Sequence, residues 1–207
     1  ALQVLDGVLH HRGVVEPPLF FNLILATLIS HVGIVGGILE EDEVKPNQPA
    51  EKYYTGKGEY KSFVGPSSNS VLWPHYIERS LLFVDRNFRS LKNLNIEDVK
   101  SAIKFSDISS KSTAKEQTNF CHYVRSAHIL AYMTQSQYNQ WLVRLYRSLE
   151  EANLLDHLGF GHLGEFRENY SQHFWENFYS DLTHLIPLLR ETEEGKMLLA
   201  TLYSRMS

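Results

Sequence analysis

Three residues in the last quarter of the chain have side chains that metal binding or acid–base catalysis requires: His173, Asp181 and His184. If the segment from about Glu165 to Leu189 forms one helix, His173 and His184 lie about 20° apart in projection, at about 100° per residue. Asp181 precedes His184 by three residues, so the two occupy adjacent turns, where a carboxylate can orient an imidazole or both can bind a metal. These three residues are the candidate catalytic group.

The rise of a helix sets a limit on this site. His173 and His184 are eleven residues apart, roughly 16 Å along the axis, so they cannot bind the same ion. A metal site would need ligands from another helix or turn, and the candidate ligands are His122, His128, His157 and His162. The competing interpretation is structural: with ten histidines in the chain, two align on one helical face by chance.

Aromatic residues also recur along the same segment. A flat ligand such as haem, with His173 as its axial ligand, is one interpretation. Core packing is the other, and a stripe of rings at helical spacing more often belongs to a core. The residues concerned are Phe166, Tyr170, Phe174, Trp175, Phe178 and Tyr179.

Several familiar sequence signatures are absent. The chain has no Walker loop, no glycine-rich dinucleotide turn, no His-Glu-x-x-His and no Gly-x-Ser-x-Gly, which disfavours the enzyme classes that depend on them. The net charge of −4 disfavours a nucleic-acid partner. Cys121 is the only cysteine, so an internal disulfide and a cysteine-based zinc site are excluded, and a cytoplasmic or other reducing compartment is compatible.

One stretch has an obvious physical requirement: Leu19 to Leu39 contains no charged residue and follows two prolines. Burying a large apolar side chain gains about 1.5 to 3 kcal/mol, so protein or lipid is expected to cover this stretch. We predict a buried helix from about Pro18 to about His31, followed by a turn or short strand in the glycine-rich residues 33–37.

A membrane anchor is the alternative for the same stretch, because a helix of this length reaches about 30 Å. The central His31 and the glycines at positions 33, 36 and 37 argue against it. If the stretch does span a bilayer, Arg12 before it favours a cytosolic N-terminus. The length of the apolar run disfavours a cleaved signal peptide, and because the chain begins at Ala1 without Met, upstream sequence is expected to be missing or processed.

The remaining segments predict a helical protein. A short helix is expected before Gly13, a loop-rich connection over residues 40–72, and within it a small hairpin near residues 51–64. Helices are predicted from Trp73 to about Leu94, from the N-cap Asn95 onward, from a capping box at Thr113–Glu116 to about Met133, from Tyr138 to Gly159, from Glu165 to Leu189 and from Glu193 to Arg205.

Together these patterns predict a mainly α protein: a helical bundle over residues 73–207 with residues 1–39 packed on it or anchored in a membrane. The expected function is a non-enzymatic protein-interaction or regulatory domain or subunit with a protein partner and no cofactor. The first alternative is a metal- or haem-dependent helical enzyme that uses His173, Asp181 and His184. The second alternative is a membrane-anchored subunit of a larger complex, held through Leu19 to Leu39.

Overall fold

A computed structural model describes residues 1–43, 52–63, 69–107 and 119–207. It is mainly helical and contains one two-stranded antiparallel hairpin, which confirms the predicted fold class. The α-helices are α1 Leu2–Arg12, α2 Pro17–Ile29, α3 Tyr76–Phe88, α4 Ile96–Phe105, α5 Asn119–Thr134, α6 Tyr138–Glu151, α7 Leu155–Leu158, α8 Leu163–Asn177, α9 Tyr179–Leu182, α10 Ile186–Leu189 and α11 Glu193–Met206. Short 3₁₀ helices occupy Val32–Ile34 and Asn69–His75.

The apolar N-terminal stretch forms a helix that ends earlier than its composition alone suggests. Helix α2 begins at Pro17, a position where the missing N–H of proline costs nothing, and ends at Ile29. A 3₁₀ turn follows at Val32–Ile34. A side chain at Gly33 would lie 2.1 Å from the carbonyl oxygen of Tyr76, so only glycine permits this turn to approach α3 so closely.

The predicted hairpin is present within residues 51–64. Strand β1 (Lys52–Tyr54) pairs with β2 (Tyr60–Ser62), with Tyr53 opposite Lys61. The connecting turn has Gly56 and Gly58 at positive φ, 87° and 85°. Glycine adopts this left-handed region without the steric cost that a Cβ imposes.

The predicted helix ends are partly confirmed. Asn95 caps α4 by accepting a hydrogen bond from the amide of Asp98, and α11 closely follows its predicted bounds. Helix α6 ends at Glu151, and Gly159, at φ 74°, terminates the separate short helix α7. The capping box at Thr113–Glu116 lies outside the described residues.

The long aromatic helix predicted from Glu165 to Leu189 is wrong as a single element. It is divided into α8, α9 and α10, with breaks near Phe178 and between Leu182 and Leu185. One straight helix over these residues would be about 37 Å long. The breaks instead let Leu182 and Leu185 become almost completely buried, and Pro187 lies in the first turn of a new helix rather than at a kink.

One large core joins the N-terminal and C-terminal helices. It contains residues from α1, α2, α4, α5, α6, α8 and α11 in a single hydrophobic cluster. Helix α5 lies at its centre and contacts α2, α4, α6, α9 and α11. The helices of the N-terminal segment therefore share this core with the later helices.

Candidate functional site

Helix α5 brings most of the candidate polar residues into the interior. His122, Arg125 and His128 are all buried on this helix, among apolar neighbours such as Val124 and Ile129. Burying a polar or charged side chain costs free energy unless hydrogen bonds compensate for the lost water. The partners of these three residues are therefore the natural place to look for function.

Arg125 is paired with one of the residues that the sequence nominated for catalysis. Its Nε donates to the Asp181 carboxylate at 2.8 Å, and its Nη1 donates to the carbonyl oxygens of Phe105 and Asp107 at 2.9 and 2.6 Å. The hydroxyl of Ser126 donates to the Asp181 carbonyl oxygen at 2.5 Å. This network holds α4, α5 and α9 together, so it accounts for Asp181 in structural terms.

His184, in the turn between α9 and α10, contacts a histidine of α5, as a metal site would have required. The rings of His122 and His184 are stacked, with centroids 4.3 Å apart and planes inclined by 30°. The ring of Phe105 meets His122 edge-on at 5.0 Å. Two stacked imidazoles do not point their nitrogens at one common position, as the ligands of a single ion must do.

The other sequence candidates are dispersed. His173 lies against Phe160, Tyr170 and Phe178, where burial lowers the pKa of its imidazole. His162 caps α8 by accepting from the amide of Glu165 at 3.1 Å. His157 lies in α7, and its side chain is outside the described part of the structure.

These positions do not assemble a metal centre within the part of the chain that the structure describes. In residues 1–43, 52–63, 69–107 and 119–207, no group of three or more His, Cys, Asp or Glu side chains is placed to hold an ion. His128, the remaining metal candidate, belongs to a different cluster, formed with residues that the sequence did not nominate.

That second cluster connects the end of α2 to α3 and α5. Ser30 Oγ and His128 Nε2 share a hydrogen bond of 2.5 Å. The His31 ring meets His128 edge-on at 4.6 Å and stacks on Tyr76 at 5.2 Å with an interplanar angle of 9°. The sequence signals for this cluster were His128, a metal candidate, and His31, a polar interruption in the apolar stretch.

Burial controls the protonation of both imidazoles. Removal from water lowers the pKa of His31 to about 4, although the Asp107 carboxylate opposes the shift. Burial lowers the pKa of His128 to about 3, and the neighbouring His31 and the charged N-terminal amine add to the effect. Both rings are therefore neutral at physiological pH, and Nε2 of His31 is buried without a hydrogen-bond partner among the described residues.

A serine bound to a neutral histidine resembles the nucleophile and base of an acyl-transfer site. Ser30 has no solvent exposure, however, and its Oγ also contacts the Thr27 carbonyl oxygen at 3.3 Å. A nucleophile must reach its substrate, so a fully buried hydroxyl does not serve this role in the described arrangement. The cluster positions the end of α2 on the bundle.

The outer side of α2 is exposed and apolar. The exposed fractions are 49% for Phe20, 43% for Phe21 and 74% for Leu28. Together with Pro17 and Ile24 these residues fall within an arc of about 100° on a helical projection. We call these five residues the α2 outer face; the opposite side of the helix, centred on Ala26, is buried.

A stretch including α2 also meets a length and composition test for a membrane span. Residues Pro17–Ile34 have a mean hydropathy of 1.6, and 33% of this window is buried in the protein. Core helices and signal sequences meet the same test. The test alone therefore leaves both predicted coverings of this stretch, protein and lipid, open.

Two grooves also open on the surface that the structure describes. The first, of about 610 Å³, lies between the start of α2 and the loop that joins α3 to α4, and its wall includes Asn22 and Lys92. The second, of about 470 Å³, is formed by α6, α8 and α11 and includes two arginines, Arg167 and Arg205. Both fall within the size range of small-molecule sites.

Comparison with known proteins adds one result. No curated protein and no solved structure is detectably similar to this chain. One family profile, described as Npun_R2479-like, matches residues 1–207. The match covers the whole sequence, so the chain belongs to the Npun_R2479-like family.

Proposed function

We propose that this protein is a non-enzymatic, helical interaction subunit that binds a protein partner through the α2 outer face. The observation that supports the proposal is the exposure of Phe20, Phe21 and Leu28 on a helix without any charged residue. Isolated exposed apolar residues are ordinary on protein surfaces. A contiguous apolar helix face is different, because it usually marks an interaction site.

The composition of α2 strengthens this interpretation. A helix that is apolar all round is normally buried all round, whereas α2 is fully buried only on the side of Leu23 and Ala26, and Ile24 packs partly against the core. Covering Phe20, Phe21 and Leu28 would contribute roughly 2 to 5 kcal/mol, before the entropic cost of association. That gain is enough to favour one docking surface over the rest of the molecule.

The contacts of the segment after α2 favour a protein over a lipid partner. The hydroxyl of Ser80 donates to the Ser30 carbonyl oxygen at 3.1 Å and accepts from the Gly33 amide at 2.9 Å. Arg79 donates to the carbonyl oxygens of Gly33 and Val35 at 2.6 and 3.0 Å. A continuous span through residues 17–34 would have to break these contacts, and α2 alone, about 20 Å long, is too short to cross.

Site-specific photo-crosslinking in the native host tests the proposal. We expect Leu28→p-benzoylphenylalanine to yield one discrete protein adduct, which disappears when Phe20→Asp and Phe21→Asp are added. Met197, comparably exposed on α11, provides the matched control position. Equal adduct patterns at positions 28 and 197 would contradict the proposal.

The same photo-crosslinking experiment also tests the membrane alternative. Adducts to lipid at position 28, together with flotation of the purified protein on vesicles, would assign the α2 outer face to a bilayer. The experiment would then support a membrane-anchored subunit and reject the protein partner. Sedimentation equilibrium identifies the remaining case, in which the partner is a second copy of this chain.

A helical metal- or haem-dependent enzyme is the second candidate. The fold brings together two histidines that the sequence nominated, His122 and His184, but their stacked rings do not aim nitrogens at one common position, so this candidate ranks second. Elemental analysis and a visible absorption spectrum of protein purified from its host provide the test. A stoichiometric metal or a Soret band would support this candidate, and neither would be expected for an interaction subunit.

A further inference from the structure

We propose that the groove between α6, α8 and α11 binds the oxyanion group, phosphate or carboxylate, of a small molecule. Its wall includes Tyr138, Gly164, Arg167, Glu168, Ser171 and Arg205. None of these residues belongs to the α2 outer face, so the proposal does not depend on the proposed function. It would give the protein a small-molecule site in addition to a docking surface.

Two guanidinium groups line this groove. Among the described residues, no carboxylate oxygen lies within 4.0 Å of Arg167 or Arg205, which distinguishes them from Arg79, Arg86 and Arg125. Guanidinium groups match the geometry of phosphate and carboxylate because they present a planar fork of N–H donors. Two such groups in one groove favour an anionic ligand.

Arg205 is held in place before any ligand arrives. Its Nη1 donates to the Met133 carbonyl oxygen at 2.7 Å, and its guanidinium lies over the Tyr138 ring, 5.4 Å from the centroid. The Tyr138 hydroxyl is protonated at neutral pH and can donate, and burial raises its pKa further, to about 12. A side chain fixed in this way loses little entropy when it binds a ligand.

A neighbouring polar residue in the groove is also held in place before a ligand binds. Ser171 donates its hydroxyl hydrogen to the Met206 carbonyl oxygen at 2.6 Å, which fixes this residue against the end of α11. Trp175 donates to the same oxygen at 2.7 Å. Gly164 lies in the first turn of α8, where the helix dipole favours negative charge.

Glu168 restricts the ligand class. One carboxylate on the wall leaves the groove with a net positive charge, because it is opposed by Arg167 and Arg205. The Glu168 carboxylate repels a ligand that carries only negative charges. It favours a ligand that also carries a hydroxyl or amine group, because Glu168 can accept a hydrogen bond from that group. A hydroxy acid, an amino acid or a sugar phosphate has this combination.

Titration by nuclear magnetic resonance tests the site, with glycerol 3-phosphate in one arm and glycerate in the other, because each pairs one oxyanion with hydroxyl groups. We expect saturable shifts of the Nε–Hε signals of Arg167 and Arg205, with a dissociation constant of about 1 mM. The arm with the tighter binding identifies the oxyanion. Arg167→Gln should weaken binding by about tenfold, the effect of losing a charge-assisted hydrogen bond.

Three further variants distinguish specific binding by the guanidinium groups from nonspecific attraction by positive charge. Arg205→Lys keeps the charge but loses the planar fork, so it should also weaken binding. Glu168→Gln should tighten binding by about threefold, because it removes a nearby negative charge. Arg144→Gln, on the exposed side of α6, should have no effect. If Arg205→Lys fails to fold, the binding measured for Arg167→Gln and Glu168→Gln decides the result.

Chemical shifts that do not saturate would overturn the proposal. Equal weakening of ligand binding by Arg144→Gln and Arg167→Gln would also overturn it.

Discussion

The Arg79 guanidinium and the Asp42 carboxylate form a two-point ion pair, with both N–O distances 2.9 Å and neither side chain exposed to solvent. Each partner also bonds to backbone. Arg79 donates to the carbonyl oxygens of Gly33, Val35 and Tyr54, and Asp42 accepts from the amides of Gly37, Leu39 and Tyr54. The pair therefore joins the segment after α2, the hairpin and α3.

Replacement of Asp42 by asparagine should destabilise the protein by about 3 to 5 kcal/mol, because it leaves the Arg79 charge buried without a counter-charge. Urea unfolding followed by circular dichroism measures the change. The neighbouring pair of Arg86 and Glu41, which is partly solvent-exposed, provides the control. Arg86→Met should cost less than about 1 kcal/mol. An equal loss of unfolding free energy in the two variants would show that burial does not make the pair of Asp42 and Arg79 more important for stability than the exposed pair.

Stability should fall as the pH is lowered below about 6.5. Burial lowers the pKa of His31 to about 4 and that of His128 to about 3 in the folded protein, while in the unfolded chain both are near 6.5. The unfolded state therefore takes up protons first, and each histidine contributes a loss of about 1.4 kcal/mol per pH unit between 6.5 and its folded pKa. The free energy of unfolding, measured from pH 7 to pH 4.5, gives the slope.

His128→Gln should reduce the pH dependence of the unfolding free energy by the contribution of about one bound proton. It should also lower the stability at pH 7, because the contact with Ser30 is lost. A slope that is the same in the wild type and in His128→Gln would contradict the assignment.

A methyl group at Gly33 should be poorly tolerated. The added Cβ would lie 2.1 Å from the Tyr76 carbonyl oxygen and 2.7 Å from the Ser80 amide nitrogen, and both contacts are with backbone. We expect Gly33→Ala to destabilise the protein by about 3 kcal/mol, at the upper end of the usual cost of overpacking. Gly13→Ala meets no atom within 4 Å but has a φ of 73°, so its cost should be about 1 kcal/mol of backbone strain. Thermal denaturation of both variants distinguishes a clash from strain.

The two sides of α2 should respond differently to substitution. Leu23→Ala should cost about 2 to 5 kcal/mol, because Leu23 is completely buried in the main core. Leu28→Ser on the α2 outer face should change the free energy of unfolding by no more than about 0.5 kcal/mol. Urea unfolding of the isolated protein measures both. A large loss from Leu28→Ser would show that this face already has a partner within the chain.

The local chemistry of the chain was sufficient to predict many of its elements. Proline at the start of α2, Asn95 before α4 and the glycines between β1 and β2 act through their own backbone or side-chain geometry. Such effects depend on a few adjacent residues, and a sequence displays them directly. The predicted mainly α class and the hairpin are confirmed for this reason.

Pairing between distant segments was not visible in the sequence. Asp181 was grouped with His184 because it precedes His184 by three positions, but the fold pairs it with Arg125, 56 positions earlier. Asp42 was assigned only to the loop-rich connection over residues 40–72, yet its side chain is fully buried. A single sequence shows the periodicity of residues along one helix or strand. It does not show which other helix or strand that element contacts across the core.

By itself the sequence determined that this chain is helical, where several of its helices begin and which stretch has to be covered, because propensity, capping and apolar content are properties of consecutive residues. Only the tertiary structure decided which charges are buried, which histidines meet, and which side of α2 stays exposed. Those outcomes depend on how distant helices pack, since burial and ion pairing arise from contacts in space between residues far apart in the chain.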